Sequence, residues 1–182
     1  MKGSRVGAAP RALAWIGLAA IVLSPGVSSA ISEYQVKAAF LLNFGKYVEW
    51  PAAALANETL AICVFGSDPF GAALDQTLAG RRLAGHPVEA RRVSEVSEAH
   101  GCQILFVSRA KPDRLDAVLS GLQGQPILLV GEQERFAHEG GIINFVEVKK
   151  KIRFEINEAA ARRAGLKISS KLLKLATIVE DG

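Results

Sequence analysis

Apolar residues in this chain occur in short runs whose spacing changes repeatedly from that of strands to that of helices. Apolar or alternating runs bounded by turn residues predict β-strands at 60–65, 88–93, 103–107 and 126–130. Segments with apolar residues at helical spacing predict helices at 34–48, 70–78 and 112–122. This alternation predicts an α/β fold: a single compact domain with a mostly parallel, Rossmann-like sheet and flanking helices.

The helix predicted at 34–48 is apolar almost all the way round. Ser32 and Gln35 form a predicted capping box at its start, and Trp50-Pro51 is predicted to end it. Lys37 and Lys46 are its only charged residues. A helix of this composition is expected to be buried on most sides.

The pattern changes near the end of the chain. Two adjacent runs, at 142–148 and 151–157, predict a C-terminal hairpin with a tight turn at Lys149-Lys150. Asn157 is a predicted N-cap for a short helix that ends at Gly165. Ser169 or Ser170 then begins a predicted last helix. The apolar stripe that indicates it consists of Leu172, Leu175, Ala176 and Val179.

Residues 1–30 have the plan of a secretory signal peptide. A basic start precedes an apolar run of eleven residues at 13–23, and small residues lead up to a predicted cut after Ala30. A retained membrane anchor is the alternative, but a helix that spans a bilayer needs about 20 apolar residues. The sequence therefore predicts a cleaved leader and a periplasmic domain at 31–182.

Removal of the leader changes the charge balance. The formal net charge is +4, and three of the 22 basic residues but none of the 18 acidic residues lie in the leader, so the mature charge is +1. A nucleic-acid partner is therefore not expected. Cys63 and Cys102 both lie in the mature part, and an oxidising compartment favours one disulfide between them. Two buried free thiols are the alternative.

No catalytic or metal-binding pattern is present in the sequence. The three histidines have no metal-ligand spacing, and the common nucleophile and phosphate motifs are absent, so neither an enzyme nor a cofactor is predicted. In a parallel sheet, the strand ends near Gly66, Ser108 and Gly131 would share one edge, where α/β proteins bind small ligands. Gly140-Gly141 indicates either a turn with positive φ or a close approach of the backbone to a ligand or partner.

Two stretches resemble the YfiR family of periplasmic proteins. The opening stretch reads EYQVKAAFLLNF at 33–44 and continues to VEWP at 48–51. The closing stretch reads IRFEIN at 152–157 and AARRAGLKISSKLL at 160–173. The resemblance covers essentially the whole mature chain.

The resemblance implies a regulator that binds the periplasmic part of an inner-membrane diguanylate cyclase and represses it, which lowers cyclic di-GMP and biofilm formation. It also implies homodimerisation and a Cys63–Cys102 pair, while a second cysteine pair found in some members is missing here. The partner or ligand contacts of the family would correspond to Glu155, Ala161, Lys167 and Ser169. The alternative function is a periplasmic small-molecule binding protein or sensor that acts with another membrane partner.

Overall fold

A mixed sheet of eight strands forms the centre of the part of the chain that the structure describes. The computed structural model describes Gly3, residues 32–109 and residues 112–182. The predicted leader and its cut after Ala30 lie outside the described residues, Gly3 excepted.

The elements follow one another along the chain as strands separated by short helices. The strands are β1 (Val48–Glu49), β2 (Leu60–Phe65), β3 (Arg82–Leu83), β4 (His86–Val93), β5 (Ile104–Val107), β6 (Leu128–Gly131), β7 (Ile143–Val148), β8 (Lys151–Asn157), β9 (Lys167–Ile168) and β10 (Thr177–Val179). The helices are α1 (Glu33–Lys46), α2 (Ala72–Leu78), α3 (Pro112–Gly121), α4 (Glu158–Arg163) and α5 (Ser170–Leu173). Two short 3-10 turns lie at Ala52–Leu55 and Val96–Ala99.

The strand order in the main sheet is β10-β8-β7-β6-β5-β2-β4-β3, while β1 and β9 form a separate antiparallel pair. In the main sheet, strands β4, β2, β5, β6 and β7 run parallel to one another and β10 runs parallel to β8, while the pairs β7–β8 and β3–β4 are antiparallel. The mostly parallel sheet with a C-terminal hairpin is therefore confirmed. Because Phe65, Val107 and Gly131 are register partners, the carboxyl ends of β2, β5 and β6 do share one edge, as predicted.

The central strands are buried because their side chains are apolar on both faces. Every residue of β2, β5 and β6 is buried, which is typical of parallel strands covered by helices. Helix α1 packs on this sheet and leaves a narrow exposed stripe at Gln35, Ala39, Asn43 and Lys46. The predicted capping box is present, since Ser32 and Gln35 exchange both hydrogen bonds. The helix ends at Lys46, before the predicted end, because residues 48–49 pair with β9.

The prediction of a long last helix is wrong. Helix α5 is one turn long, and residues 177–179 form β10, a strand at the edge of the sheet that pairs with β8. All three residues of β10 are β-branched, and such residues favour strands. Leu175, a member of the predicted apolar stripe, is 69% exposed. The chain end is then held by the carboxylate of Asp181, which contacts Arg163 at 2.7 Å.

The predicted start of the second helix is also two residues early. The carboxylate of Asp68 accepts hydrogen bonds from the backbone N–H groups of Phe70 and Gly71 at 2.8 and 3.3 Å. This holds residues 68–71 in a turn, so α2 begins at Ala72. The backbone N–H groups of Phe70 and Gly71, after β2, are therefore bound within the turn by Asp68.

Candidate functional site

A polar cavity of about 410 Å³ lies at the edge of the sheet where β6 ends. The hairpin β7–β8 extends beyond the end of β6, because Gly131 pairs with Asn144 and four more residues of β7 follow. The first turns of α1 and residues 132–135 complete the walls of this cavity. Its size is within the range of about 300–1,000 Å³ that small-molecule sites occupy. The cavity is near Gly131, as the sequence predicts, but its walls do not include Gly66.

The inner wall of the cavity carries a buried ion cluster. The ammonium group of Lys37 contacts a carboxylate oxygen of Glu132 and one of Glu33, both at 2.5 Å. The side chains of Lys37 and Glu132 are only 5% and 3% exposed. The hydroxyl of Tyr34 donates to Glu132 at 3.2 Å, and the Lys37 ammonium lies 4.8 Å from the centre of the Tyr34 ring. The charged Lys37 is thus held in the core by two carboxylates, one from its own helix and one from the residue that follows β6.

The cluster shifts the titration of its members. Burial alone lowers the pKa of Lys37, but hydrogen bonds to Glu132 and Glu33 outweigh burial, so the net pKa is raised. The pKa of Tyr34 is raised by burial first and by the neighbouring charge of Glu132 second. Lys37 is therefore fully charged at neutral pH, and its charge is taken up by two carboxylates.

Asn144 and Glu155 face each other on the neighbouring strands β7 and β8. The amide nitrogen of Asn144 donates to a carboxylate oxygen of Glu155 at 3.3 Å. Asn144 is 2% exposed, and its oxygen Oδ1 has no hydrogen-bond partner among the described residues. The amide nitrogen Nε2 of Gln133, which also lines the cavity, likewise has none in the described part of the chain.

The structure separates the four residues that the resemblance singled out. Glu155 lines the polar cavity at the end of β6. Ala161 is fully buried in α4, and Lys167 and Ser169 lie on or just after β9. Lys167 lines a different and shallower cavity of about 380 Å³ with Trp50 and other residues around the β1–β9 pair.

The surface around β9 has its own polar features. The ammonium group of Lys167 lies 3.7 Å from the carboxylate of Glu49, and both side chains are largely exposed. The indole N–H of Trp50 and the hydroxyl of Ser169 are buried and have no hydrogen-bond partner among the described residues. Trp50 itself is 8% exposed and belongs to the core.

Cys63 and Cys102 form a disulfide bond, with their Cα atoms 6.0 Å apart. Cys63 lies on β2, and Cys102 precedes the neighbouring strand β5 by two residues. Both cysteines are buried, with exposures of 0% and 2%. The bridge favoured by the sequence is therefore present, and the alternative of two free thiols is wrong.

The two glycines of the 140–141 loop have different roles. Gly140 has a φ of +108°, which is the turn conformation that the sequence predicts. A Cβ on Gly141 would collide with the ring and backbone of Phe136, and a Cβ on Gly131 would lie 2.5 Å from the same ring. The close approach of backbone at this loop is thus to the buried ring of Phe136.

The residues that sequence reasoning missed are Lys37, Glu132 and Asn144. The available signal was Lys37, which is one of two charged residues in the helix predicted at 34–48, a helix that is apolar almost all round. Its partner Glu132 is 95 residues away along the chain, so no local pattern connects them. Asn144 is a single amide in an apolar strand, a common pattern with no specific meaning.

Two further observations apply to the described residues only. Among them, no three or more histidine, cysteine or acidic side chains are grouped closely enough to hold a metal ion. The structure also contains, within Gly3, residues 32–109 and residues 112–182, no helix with the length and apolar character needed to cross a bilayer.

One solved structure has a similar fold. It is an ABC domain from Streptococcus pneumonia crystallised in complex with L-Trp, with a TM-score of 0.51 and 14% sequence identity. The match covers 78% of this chain and 60% of that protein, so this chain spans less than two thirds of its length. At this level of identity, the comparison shows the α/β architecture alone.

A comparison with protein-family models identifies the family of the chain. The model described as YfiR/HmsC-like matches residues 34–177, which include the whole sheet except the last two residues of β10. The match begins in α1 and includes the disulfide, the β1–β9 pair and the residues that line the polar cavity, Glu33 excepted. The chain therefore belongs to the YfiR/HmsC-like family.

Proposed function

We propose that this protein is a periplasmic regulator that represses an inner-membrane diguanylate cyclase by direct contact with the periplasmic part of the cyclase. The observation that carries this proposal is the family match over residues 34–177. The signal-like residues 1–30 and the Cys63–Cys102 disulfide support a periplasmic location, since disulfides form in oxidising compartments. The protein acts as a binding module rather than as an enzyme.

The surface around β9 is the contact region that we propose. Lys167 is exposed there, and in the described part of the chain its ammonium group pairs with one carboxylate, that of the exposed Glu49. Exposed ion pairs of this kind are weak. The charge of Lys167 is therefore available to a partner. Ala161 is buried in α4, which packs against β9, so it affects binding only through the position of α4.

The test measures cyclic di-GMP in the host with the full, secreted chain. Deletion of the gene should raise cyclic di-GMP, and expression of the unchanged chain should restore the original level. Lys167→Glu should restore it poorly, because a reversed charge repels a partner surface that fits a lysine. Arg81→Glu is the control, since it reverses an exposed charge beyond α2, in a segment that does not line the Lys167 cavity.

Two results decide the proposal. The tagged chain, cross-linked in intact cells, should retain a membrane protein that carries a diguanylate cyclase domain, and Lys167→Glu should retain less of it. Cyclic di-GMP that is the same in the deletion strain and its parent would refute the proposed repression.

A further inference from the structure

Two residues that line the polar cavity at the end of β6 each carry a buried hydrogen-bonding group without a partner among the described residues. Oδ1 of Asn144 is an acceptor and Nε2 of Gln133 is a donor, and neither is satisfied by any residue that the structure describes. Buried polar groups in native proteins are almost always hydrogen-bonded, because an unpaired group loses its hydration without compensation. Unpaired groups that line a cavity of ligand size indicate what a ligand there must supply.

The orientation of the Asn144 amide is set by its neighbour. Its nitrogen donates to Glu155, and exchange of oxygen and nitrogen would place the amide oxygen against a carboxylate. The free atom of Asn144 is therefore an acceptor, next to the negatively charged acceptor of Glu155. Together they favour a ligand group that donates several hydrogen bonds and carries a positive charge.

The other charged side chains of the cavity also favour a positively charged ligand. Among the residues that the structure describes, five glutamates line it against three basic side chains, with one histidine in addition. Of the basic side chains, Lys37 is already bound by Glu33 and Glu132, so its charge is compensated within the wall. The wall as a whole is acidic, and a cation is attracted to it.

From these contacts we infer that the cavity binds a small molecule with an aliphatic ammonium group, which donates to Asn144 Oδ1 and to the Glu155 carboxylate. Free α-amino acids and aliphatic polyamines both carry this group. An amino acid would also offer a carboxylate to the amide of Gln133, whereas a polyamine would not. The inference concerns a ligand of the folded protein and does not depend on the identity of the membrane partner.

The test is calorimetric titration of the secreted protein with three probes. Putrescine supplies ammonium groups without a carboxylate, L-alanine supplies both groups, and acetate supplies a carboxylate alone. Saturable binding of putrescine or L-alanine, and not of acetate, is expected. Binding of L-alanine alone would indicate that the carboxylate contact to Gln133 is also used, and binding of both would indicate that the ammonium group suffices.

Three variants locate the site. Glu155→Gln keeps the shape of the side chain but removes its charge, and it should weaken binding by about tenfold, the size expected for one charge-assisted hydrogen bond. Asn144→Leu should weaken binding similarly, with circular dichroism to confirm that it folds. Glu89→Gln, on the exposed side of β4, is the matched control and should bind as the unchanged chain does.

Three results would overturn the inference. They are the absence of saturable binding of both amines, binding of acetate in their place, and amine binding that Glu155→Gln and Asn144→Leu leave unchanged. The last result would place the amine elsewhere on the protein. Because the readout is binding to the purified chain, failure here is distinct from failure of the proposed repression.

Discussion

Replacement of Lys37 by methionine tests whether the buried ion cluster is built as the structure indicates. Methionine has a similar length and keeps the apolar packing, but it leaves Glu132 in the core without its cation. Removal of one partner from a buried ion pair costs about 3–5 kcal/mol. The hydroxyl of Tyr34 still donates to Glu132, so we expect the lower end, about 3 kcal/mol.

A loss of this size is a large part of the stability of a domain. Native domains unfold with a free energy of about 5–15 kcal/mol, and at this size each kcal/mol corresponds to about 2–4 °C in melting temperature. Lys37→Met should therefore melt about 6–12 °C lower. Urea unfolding followed by circular dichroism gives the free energy directly, since the midpoint moves while the slope stays the same.

The double variant Lys37→Met with Glu132→Leu distinguishes the effect of an uncompensated charge from the effect of altered packing. If the cost of the single variant comes from an uncompensated charge, removal of both charges should recover most of it, to within about 1 kcal/mol of the unchanged chain. Glu132→Leu alone should cost less than Lys37→Met alone, because Lys37 still has the carboxylate of Glu33. A cost below about 1 kcal/mol for Lys37→Met, or a double variant as unstable as that single one, would refute the reasoning.

The pH dependence gives a second measurement on the same cluster. The pKa of Lys37 is raised in the folded protein, so its contribution is complete below the unfolded pKa of about 10.4 and is lost as the pH rises through the folded pKa. The unchanged chain should thus lose stability in this alkaline range faster than Lys37→Met does. Parallel curves for the two proteins would contradict the assigned charge state.

Three shorter predictions concern other parts of the molecule. Replacement of Cys63 and Cys102 by alanine opens a loop with a sequence separation of 39, and chain entropy predicts a loss of about 3–4 kcal/mol in urea unfolding; equal stability would refute this. Gly131→Ala should lose about 1–3 kcal/mol in the same assay, because its Cβ would lie 2.5 Å from the Phe136 ring. The pKa of Asp181 is lowered by its arginine partner, so its contribution is lost as the pH falls below about 3.9; melting temperatures of Asp181→Asn should depend less on pH there.

Two strands could be predicted closely from the sequence, because β2 is an unbroken apolar run and β8 alternates between apolar and polar residues. Leu60–Phe65 and Lys151–Asn157 have the predicted bounds, and the turn at Lys149-Lys150 lies where the pattern changes. Asn157 caps α4 as expected, through a hydrogen bond from the N–H of Ala160 at 2.8 Å. In each case the signal is local: an apolar run, an alternating run, or a capping residue at the start of the helix that it caps.

The errors occur where tertiary contacts decide the outcome. Residues 177–179 became a strand because the free edge of β8 was available to pair with them, which no helical stripe reveals. The strands β1 and β9 are two residues each and exist only as partners of one another. The buried cluster depends on a contact between Lys37 and Glu132, so the sequence offered a lysine in an apolar helix and no indication of what satisfied it.

The disulfide constrains how a signal could reach this protein. Thiol–disulfide exchange requires a thiolate to reach a cysteine sulfur, and both cysteines are buried in or beside the adjacent central strands β2 and β5. Reduction therefore requires that the centre of the sheet open first, and such openings approach the free energy of global unfolding. The bridge is thus expected to stabilise the fold and not to act as a switch under native conditions. A signal that acts on the folded domain must instead arrive where polar groups are accessible without unfolding, and the cavity beside Asn144 and the surface around Lys167 both meet that requirement.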